Sequence, residues 1–335
     1  MNKILIIQTA FIGDVVLATS LIESTKLAYP NAQIDFLLRA GNETLLADNP
    51  QIHEVLVWNK KSAKVAGLIK LLFKIRKTKY DAVLNIQRFF NAGLLTALSG
   101  ARVRIGFHTN PLSRFFTKKI IHKIPHQTRD GYFHEVQRNH QLLSGLTNDP
   151  IPPAKEIPPK LYFNQSQKEK IQSLNINSPY FVLAPSSVWF TKQWQRSKWI
   201  ELIDKLKNKG KVILIGGPDD REYLEGLGEG TINLAGKLSL VESALLMKTS
   251  QRVFVNDSAP LHLASSVNAK TTAIFCSTVP DFGYTPLSID SCLIQRERLD
   301  CMPCGLHGKA SCPLGHFKCS DDISVEEVLN KSFEK

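Results

Sequence analysis

The sequence predicts an α/β protein built as two parallel-sheet halves, and three observations carry that expectation. Its 335 residues exceed one ordinary domain and suit two. Short apolar runs alternate with longer amphipathic ones on both sides of the chain's middle. Between them, Pro150, Pro152, Pro153, Pro158 and Pro159 forbid a continuous helix or a central strand. The linker is expected within residues 150–160, dividing domains over 1–155 and 156–335.

In the first half, apolar runs predict strands at Lys3 to Gln8, Ile34 to Leu38, Glu54 to Val57, Tyr80 to Ile86 and Val103 to Phe107. Helical spacing falls between them, at Asp14 to Ala28, Lys64 to Lys77 and Ala92 to Ser99, with a last helix over Gly131 to Leu143. The second half restarts the alternation with strands at Tyr180 to Ala184, Lys211 to Ile215, Arg252 to Val255 and Thr271 to Phe275. Its helices are expected at Trp199 to Lys209, Leu240 to Lys248 and Pro260 to Val267. A closing helix runs from Ser324 to Phe333, with Ser324 as N-cap and Glu327 at the third helical position. Two Rossmann-like halves result.

Composition narrows the function. Hydrophobic residues at 43% and charged residues at 21% are ordinary for a folded globular chain and exclude disordered and fibrous classes. No apolar run reaches the roughly 18 residues of a membrane span. Gln8 and Asp14 interrupt the apolar start that would otherwise resemble a secretory leader, so a cytoplasmic chain is expected. Residues 1–160 carry 22 Lys and Arg against 11 Asp and Glu, whereas residues 161–335 carry 20 against 19. The net charge of +12 therefore belongs almost wholly to the first half, which suggests an anionic partner there.

Ligands of open α/β sheets bind beyond the carboxyl ends of the strands, where helix N-termini favour anions. The turn after the first strand reads Thr9-Ala10-Phe11-Ile12-Gly13-Asp14-Val15, with one glycine. It lacks the dinucleotide fingerprint, and no P-loop motif occurs in the chain, which argues against dehydrogenases and P-loop nucleotidases. Asp14 at this turn suits a base facing a hydroxyl; it equally suits a helix N-cap. In the second half, Ala184-Pro185-Ser186-Ser187 leads to Trp189, Lys192 and Trp194. Small hydroxyls with a lysine are suitable hydrogen-bond donors to phosphate oxygens, while the same loop also reads as one anchored by its tryptophans. Asn256-Asp257-Ser258-Ala259-Pro260-Leu261-His262 places a proline in the first turn of a helix, a seat for a diphosphate. His262 alone reads more simply as a structural histidine.

Taken in order, the Gly-Asp-Val turn, the Pro-Ser-Ser…Lys-x-Trp loop, Gly216-Gly217-Pro218-Asp219 and Asn-Asp-Ser-x-Pro-x-His resemble glycosyltransferase family 9. These are the ADP-heptose:lipopolysaccharide heptosyltransferases, and the likeness, closest to heptosyltransferase II-like members, spans nearly the whole chain. The resemblance implies a GT-B fold, two Rossmann-like domains with a cleft between them. It implies transfer of heptose from ADP-heptose, with inversion and without a metal cofactor, to Kdo or heptose of a lipid A-Kdo type acceptor. Asp14 then matches the general base and Lys192 the basic contact to the donor phosphates. Ser186, Ser187, Gly216, Gly217, Asp257, Ser258, Ala259 and His262 fall on the donor side. Thr9, Gly13, Arg39, Gln87 and Arg88 are the candidates for the acceptor side. The chain departs from the family in having Ala259 where glycine is usual, and Cys276-Ser277-Thr278-Val279-Pro280 where a Gly-Pro-Thr-like turn is usual.

Two features stand outside this frame. Lys60 to Tyr80 interleaves eight lysines and arginines with seven large apolar residues, a cationic amphipathic helix whose basic side is expected against anionic lipid or acceptor phosphates. That places the protein on the inner face of the cytoplasmic membrane. Cys301, Cys304, Cys312 and Cys319 crowd into nineteen positions. They suggest a structural metal site, a disulfide or reactive pair, or packed reduced thiols. The competing functions are a GT-B enzyme with another nucleotide-sugar donor and a non-catalytic binder of polyanions or phosphoglycans. A nucleic-acid partner is not expected, because no aromatic-and-basic binding motif accompanies the charge.

Overall fold

The computed structural model describes residues 1–60, 64–124, 133–297 and 299–334. The chain divides into two compact units: the first holds Met1–Ile124 and Phe133–Tyr162, and the second runs from Phe163 onward. The segment after the prolines is fastened to the first unit. There the Lys160 amide donates to Thr19 Oγ1 at 2.8 Å and the Tyr162 hydroxyl donates to the Glu23 carboxylate at 2.9 Å.

The first unit runs β1 (Lys3–Ile7), α1 (Ile12–Ala28), β2 (Gln33–Arg39), β3 (Ile52–Trp58), α2 (Lys64–Thr78), β4 (Ala82–Asn85), α3 (Phe90–Leu98), β5 (Val103–Phe107), β6 (Lys118–Ile120) and α4 (Glu135–Thr147). All six strands are parallel, in the order β3-β2-β1-β4-β5-β6. The centre of a parallel sheet is covered on both faces, which is why Ile4–Ile7 and Ala82–Leu84 read as unbroken apolar runs and are wholly buried. Helix α1 is buried without a break from Val15 to Ile22, because it packs on the sheet and against α4.

The last helix of this unit differs from its expected position. Gly131 and Tyr132 lie outside the described residues, and α4 begins at Glu135, where His134 Nδ1 accepts the Val136 amide. It continues past Leu143 to Thr147, and Gly145 lies against β5 and β6, where an added Cβ would meet Ile120 Cδ1 at 3.0 Å and Ile105 Cγ2 at 3.5 Å. Strand β6 was not expected. Lys118 and Lys119 on a sheet edge look like loop in sequence, although charged residues are how edges are commonly protected.

The second unit runs α5 (Gln165–Ser173), β7 (Tyr180–Ala184), α6 (Arg196–Lys207), β8 (Lys211–Leu214), α7 (Arg221–Glu225), β9 (Ile232–Asn233), α8 (Leu240–Lys248), β10 (Arg252–Asn256), α9 (Ala259–Ser266), β11 (Thr271–Phe275), β12 (Ser291–Gln295), α10 (Lys318–Asp321) and α11 (Val325–Phe333). Its parallel sheet has the order β12-β11-β10-β7-β8-β9, the same winding as the first. Both units are Rossmann-like, and in each the order reverses between the first and fourth strands of the sheet. Helix α11 starts as expected: Ser324 Oγ accepts the Glu327 amide at 3.1 Å. Among the described residues, no helix is long and apolar enough to cross a membrane.

Candidate active site

In the first unit the reversal lies between β1 and β4, and their carboxyl ends carry Gln8, Thr9 and Gln87. The Gln87 side-chain amide donates to Gln8 Oε1, while its backbone is pinned by Asn85 Oδ1 and Asn110 Nδ2. Thr9 is buried, and its carbonyl accepts the Lys60 ammonium at 2.8 Å. Lys60 lies over the Trp58 ring, and burial and the Arg39 charge hold its pKa below the usual lysine value. Arg39 in turn stacks over Phe11 at 5.0 Å. Gly13 sits in the first turn of α1 and Arg88 is exposed beside Phe89. Lys60 is thus a loop residue of this site, not the start of the basic helix as expected from sequence; Lys61 and the side chain of Lys64 lie outside the described residues.

Asp14 does not occupy the N-cap of α1. Phe11 does, and Asp14 stands at the third helical position, where its carboxylate accepts the Phe11 amide at 3.2 Å. Burial, and then the negative charge of Glu135, push the Asp14 carboxyl up to about 6, against the opposing pull of the Phe11 amide and Arg39. Glu135, at the start of α4, goes the other way. Although burial disfavours its charge, Arg138, whose Nε donates to it at 2.7 Å, and His122 hold its carboxyl down to about 2. The two carboxyls are thus pushed apart, Asp14 upward and Glu135 downward. Glu135 carries no motif in the sequence; only its burial beside Arg138 marks it.

In the second unit the reversal lies between β7 and β10. Asn256 ties the two strand ends together: its side-chain amide donates to the Pro185 carbonyl at 2.6 Å, and its Oδ1 accepts the Trp194 amide at 3.0 Å. Ser186 and Ser187 follow Pro185 and remain partly exposed. Of the loop's tryptophans, Trp194 anchors it in the core against Trp199, whereas Trp189 is exposed. Lys192 Nζ lies 2.7 Å from Asp257 Oδ2, and the Thr278 hydroxyl donates to the same oxygen at 2.6 Å. Asp257 therefore faces a lysine and a hydroxyl, and Lys192 keeps two further N–H donors for other oxygens.

Ser258 is the N-cap of α9, Ala259 and Pro260 open the helix, and His262 is buried within it. Ala259 is not among the residues of positive φ, so the methyl that replaces the family's usual glycine meets no backbone strain. Gly216 and Gly217 stand apart, after β8. A side chain at Gly216 would meet Asp220 Cβ at 2.8 Å and Leu224 Cδ1 at 3.0 Å, and the Gly217 amide donates to Asp220 Oδ2 at 2.7 Å. Close packing of the turn accounts for the first glycine. Asn256, Thr278 and Lys60 were read only as parts of a motif, a turn and a basic stretch, because their contacts are made with residues from distant loops.

The cysteine-rich segment buttresses the loop that carries Lys192. Thr191 exchanges backbone and side-chain bonds with Lys309, its hydroxyl accepts from Ser277 Oγ at 2.9 Å, and the Cys304 amide donates to the Ser277 carbonyl. All six cysteines are free thiols, and among the described residues no three His, Cys, Asp or Glu side chains converge on a metal-binding point. Burial and neighbouring thiols push Cys319 up to about 12.

Two Rossmann-like units in succession are the architecture of the GT-B glycosyltransferases. The chain belongs to glycosyltransferase family 9, the heptosyltransferase family, whose model matches residues 68–312. It is 30% identical to lipopolysaccharide heptosyltransferase 3 of Escherichia coli, over 80% of this chain and 82% of that one. Its fold is similar to that of E. coli ADP-heptose lps heptosyltransferase II, with a TM-score of 0.79 at 21% identity, covering 98% and 97% of the two chains. It is also similar to E. coli heptosyltransferase WaaC with ADP-2-deoxy-2-fluoro heptose, with a TM-score of 0.69 at 19% identity over 98% of each chain.

Proposed function

We infer that this glycosyltransferase moves a heptose from ADP-heptose to a Kdo or heptose of the lipopolysaccharide inner core. The observation that carries the mechanism is Asp14 in the first turn after β1, its carboxyl raised to about 6 while that of Glu135 is held low by Arg138 and His122. In its ionised form Asp14 takes the proton of an acceptor hydroxyl as that oxygen bonds to the anomeric carbon. The bond from that carbon to the donor phosphate breaks on the opposite side, its electron pair leaving with ADP, so the centre inverts. Lys192 and the amides near Ser258 receive the developing charge. General-base assistance contributes about 10²- to 10⁴-fold, and no step calls for a metal ion.

Asp257 acts in this reading as the group that orients Lys192, since a carboxylate facing a diphosphate would repel it. Residues 156–335 take the donor, through Ser186, Ser187, Gly216, Gly217, Ala259 and His262. Residues 1–155 take the acceptor, through Thr9, Gly13, Arg39, Gln87 and Arg88, with Lys60 added by its geometry. The acceptor is carried on lipid at the cytoplasmic face of the inner membrane. The family match and the 30% identical lipopolysaccharide heptosyltransferase 3 support both substrates. The test is release of ADP from ADP-heptose with a soluble inner-core acceptor, with and without a chelator, compared with UDP- and GDP-sugars. Turnover confined to ADP-heptose and insensitive to the chelator is expected; UDP- or GDP-sugar turnover, or loss of activity with the chelator, would overturn it.

A further inference from the structure

Helix α2 has two apolar faces, and the fold uses only one. Leu68, Leu71, Leu72 and Ile75 pack into the core beside Leu56, Trp58 and Val83. Val65, Ile69 and Phe73, spaced four apart and therefore stacked on one side, point outward and are 69%, 50% and 70% exposed. Arg76 of the same helix donates to the backbone carbonyl of Leu98 in α3, whose side chain is 44% exposed. Contiguous exposed apolar side chains of this size mark an interaction surface.

The charges around the stripe identify the partner. Helix α2 has no acidic residue, and Lys70, Arg76 and Lys77 flank the apolar side chains. Among the described side chains of α2, Lys74 pairs with Glu54 of β3 and Arg76 donates to the Leu98 carbonyl. A second copy of this chain would bring like charges face to face. An apolar wedge rimmed by cations fits instead the boundary between acyl chains and anionic headgroups. We propose that α2 docks the protein on an anionic bilayer, with Val65, Ile69 and Phe73 entering the lipid and Lys70, Arg76 and Lys77 meeting headgroup phosphates.

This deepens the reading of a lipid-borne acceptor, and the experiment separates the two. The full chain is sedimented with phosphatidylglycerol vesicles and with phosphatidylcholine vesicles, at low and high salt. Wild-type protein binds the anionic vesicles, more weakly at high salt. The exposed double variants Ile69→Ser/Phe73→Ser and Lys70→Glu/Lys77→Glu each lose at least tenfold in vesicle affinity while keeping wild-type turnover on a soluble acceptor. Unchanged vesicle binding by the Ile69→Ser/Phe73→Ser variant overturns the proposal. So does sedimentation velocity showing a wild-type dimer that this variant dissociates, which assigns the face to a second copy. Loss of soluble-acceptor turnover by the wild type bears on the enzymatic reading alone.

Discussion

The Lys192 ammonium lies 2.7 Å from the Asp257 carboxylate, with 15% and 7% of the two side chains exposed. A charge pair so far removed from water is strongly coupled: removing one partner strands the other, whereas removing both does not. Lys192→Met is expected to destabilise the protein by about 3 kcal/mol and to abolish turnover. The double variant with Asp257→Asn recovers most of the stability but none of the activity. Urea denaturation of the two variants, read with ADP release, checks this.

The raised Asp14 carboxyl sets a pH dependence with opposite signs for rate and stability. The base works when ionised, so kcat/KM falls tenfold per unit as pH drops below about 6. Stability runs the other way. A carboxyl whose folded pKa exceeds its ordinary 3.8 is costly to keep charged, so the fold gains stability as pH falls from 6 towards 4. Asp14→Asn should lower kcat by about 10²- to 10⁴-fold with ADP affinity retained. It should also raise stability at pH 7.5 by roughly 1 to 3 kcal/mol, the gain vanishing near pH 4. Melting curves across that range test the second half.

Glu135 raises Asp14 through its charge, while Arg138 and His122 keep it ionised. Glu135→Gln removes the like charge and leaves the Arg138 cation. The acid limb of the pH–rate profile is expected to move down by on the order of one unit. An unmoved limb would show that Asp14 does not feel this neighbour.

Gly308, at φ +82°, approaches the donor-side loop so closely that an added Cβ would meet Lys192 Cγ and Thr191 Oγ1 at 3.1 Å. Gly308→Ala strains the backbone by about 1 kcal/mol or more and displaces Lys192. A several-fold rise in the donor KM, with acceptor KM unchanged, is the expected kinetic signature.

The two sheets were legible because parallel strands covered on both faces leave apolar runs such as Lys3 to Ile7 and Thr271 to Phe275. Edge elements were not: β6 is two lysines and an isoleucine, and β9 is two residues long. Helix α5 has no buried side chain, so no apolar period announces it. At the site, Asp14, Lys192 and the Asp257 to His262 stretch stood out because each lies at a strand end followed by a helix. Lys60, Glu135 and Thr278 did not, because what makes them notable is a neighbour far along the chain: Thr9, 51 residues from Lys60, Asp257, 21 residues from Thr278, and Asp14 for Glu135. Periodicity reports a residue's face, not its partner.

The bonds that hold the Lys192 loop have a temporal consequence. Thr191 is fixed by Lys309, the Gln193 carbonyl by Ser320, and the Trp194 indole by the Ile323 carbonyl. A ribosome delivers the chain from its N-terminus, and units fold as they emerge. The sheet from β7 to β11 is therefore able to assemble while the loop still lacks these three fasteners. The full set of bonds around Lys192 arrives only with the closing segment, so a nascent chain that has made β12 but not Lys309 carries the complete strand order of a Rossmann-like core with its lysine loop held by Asp257, Asn256 and Ser277.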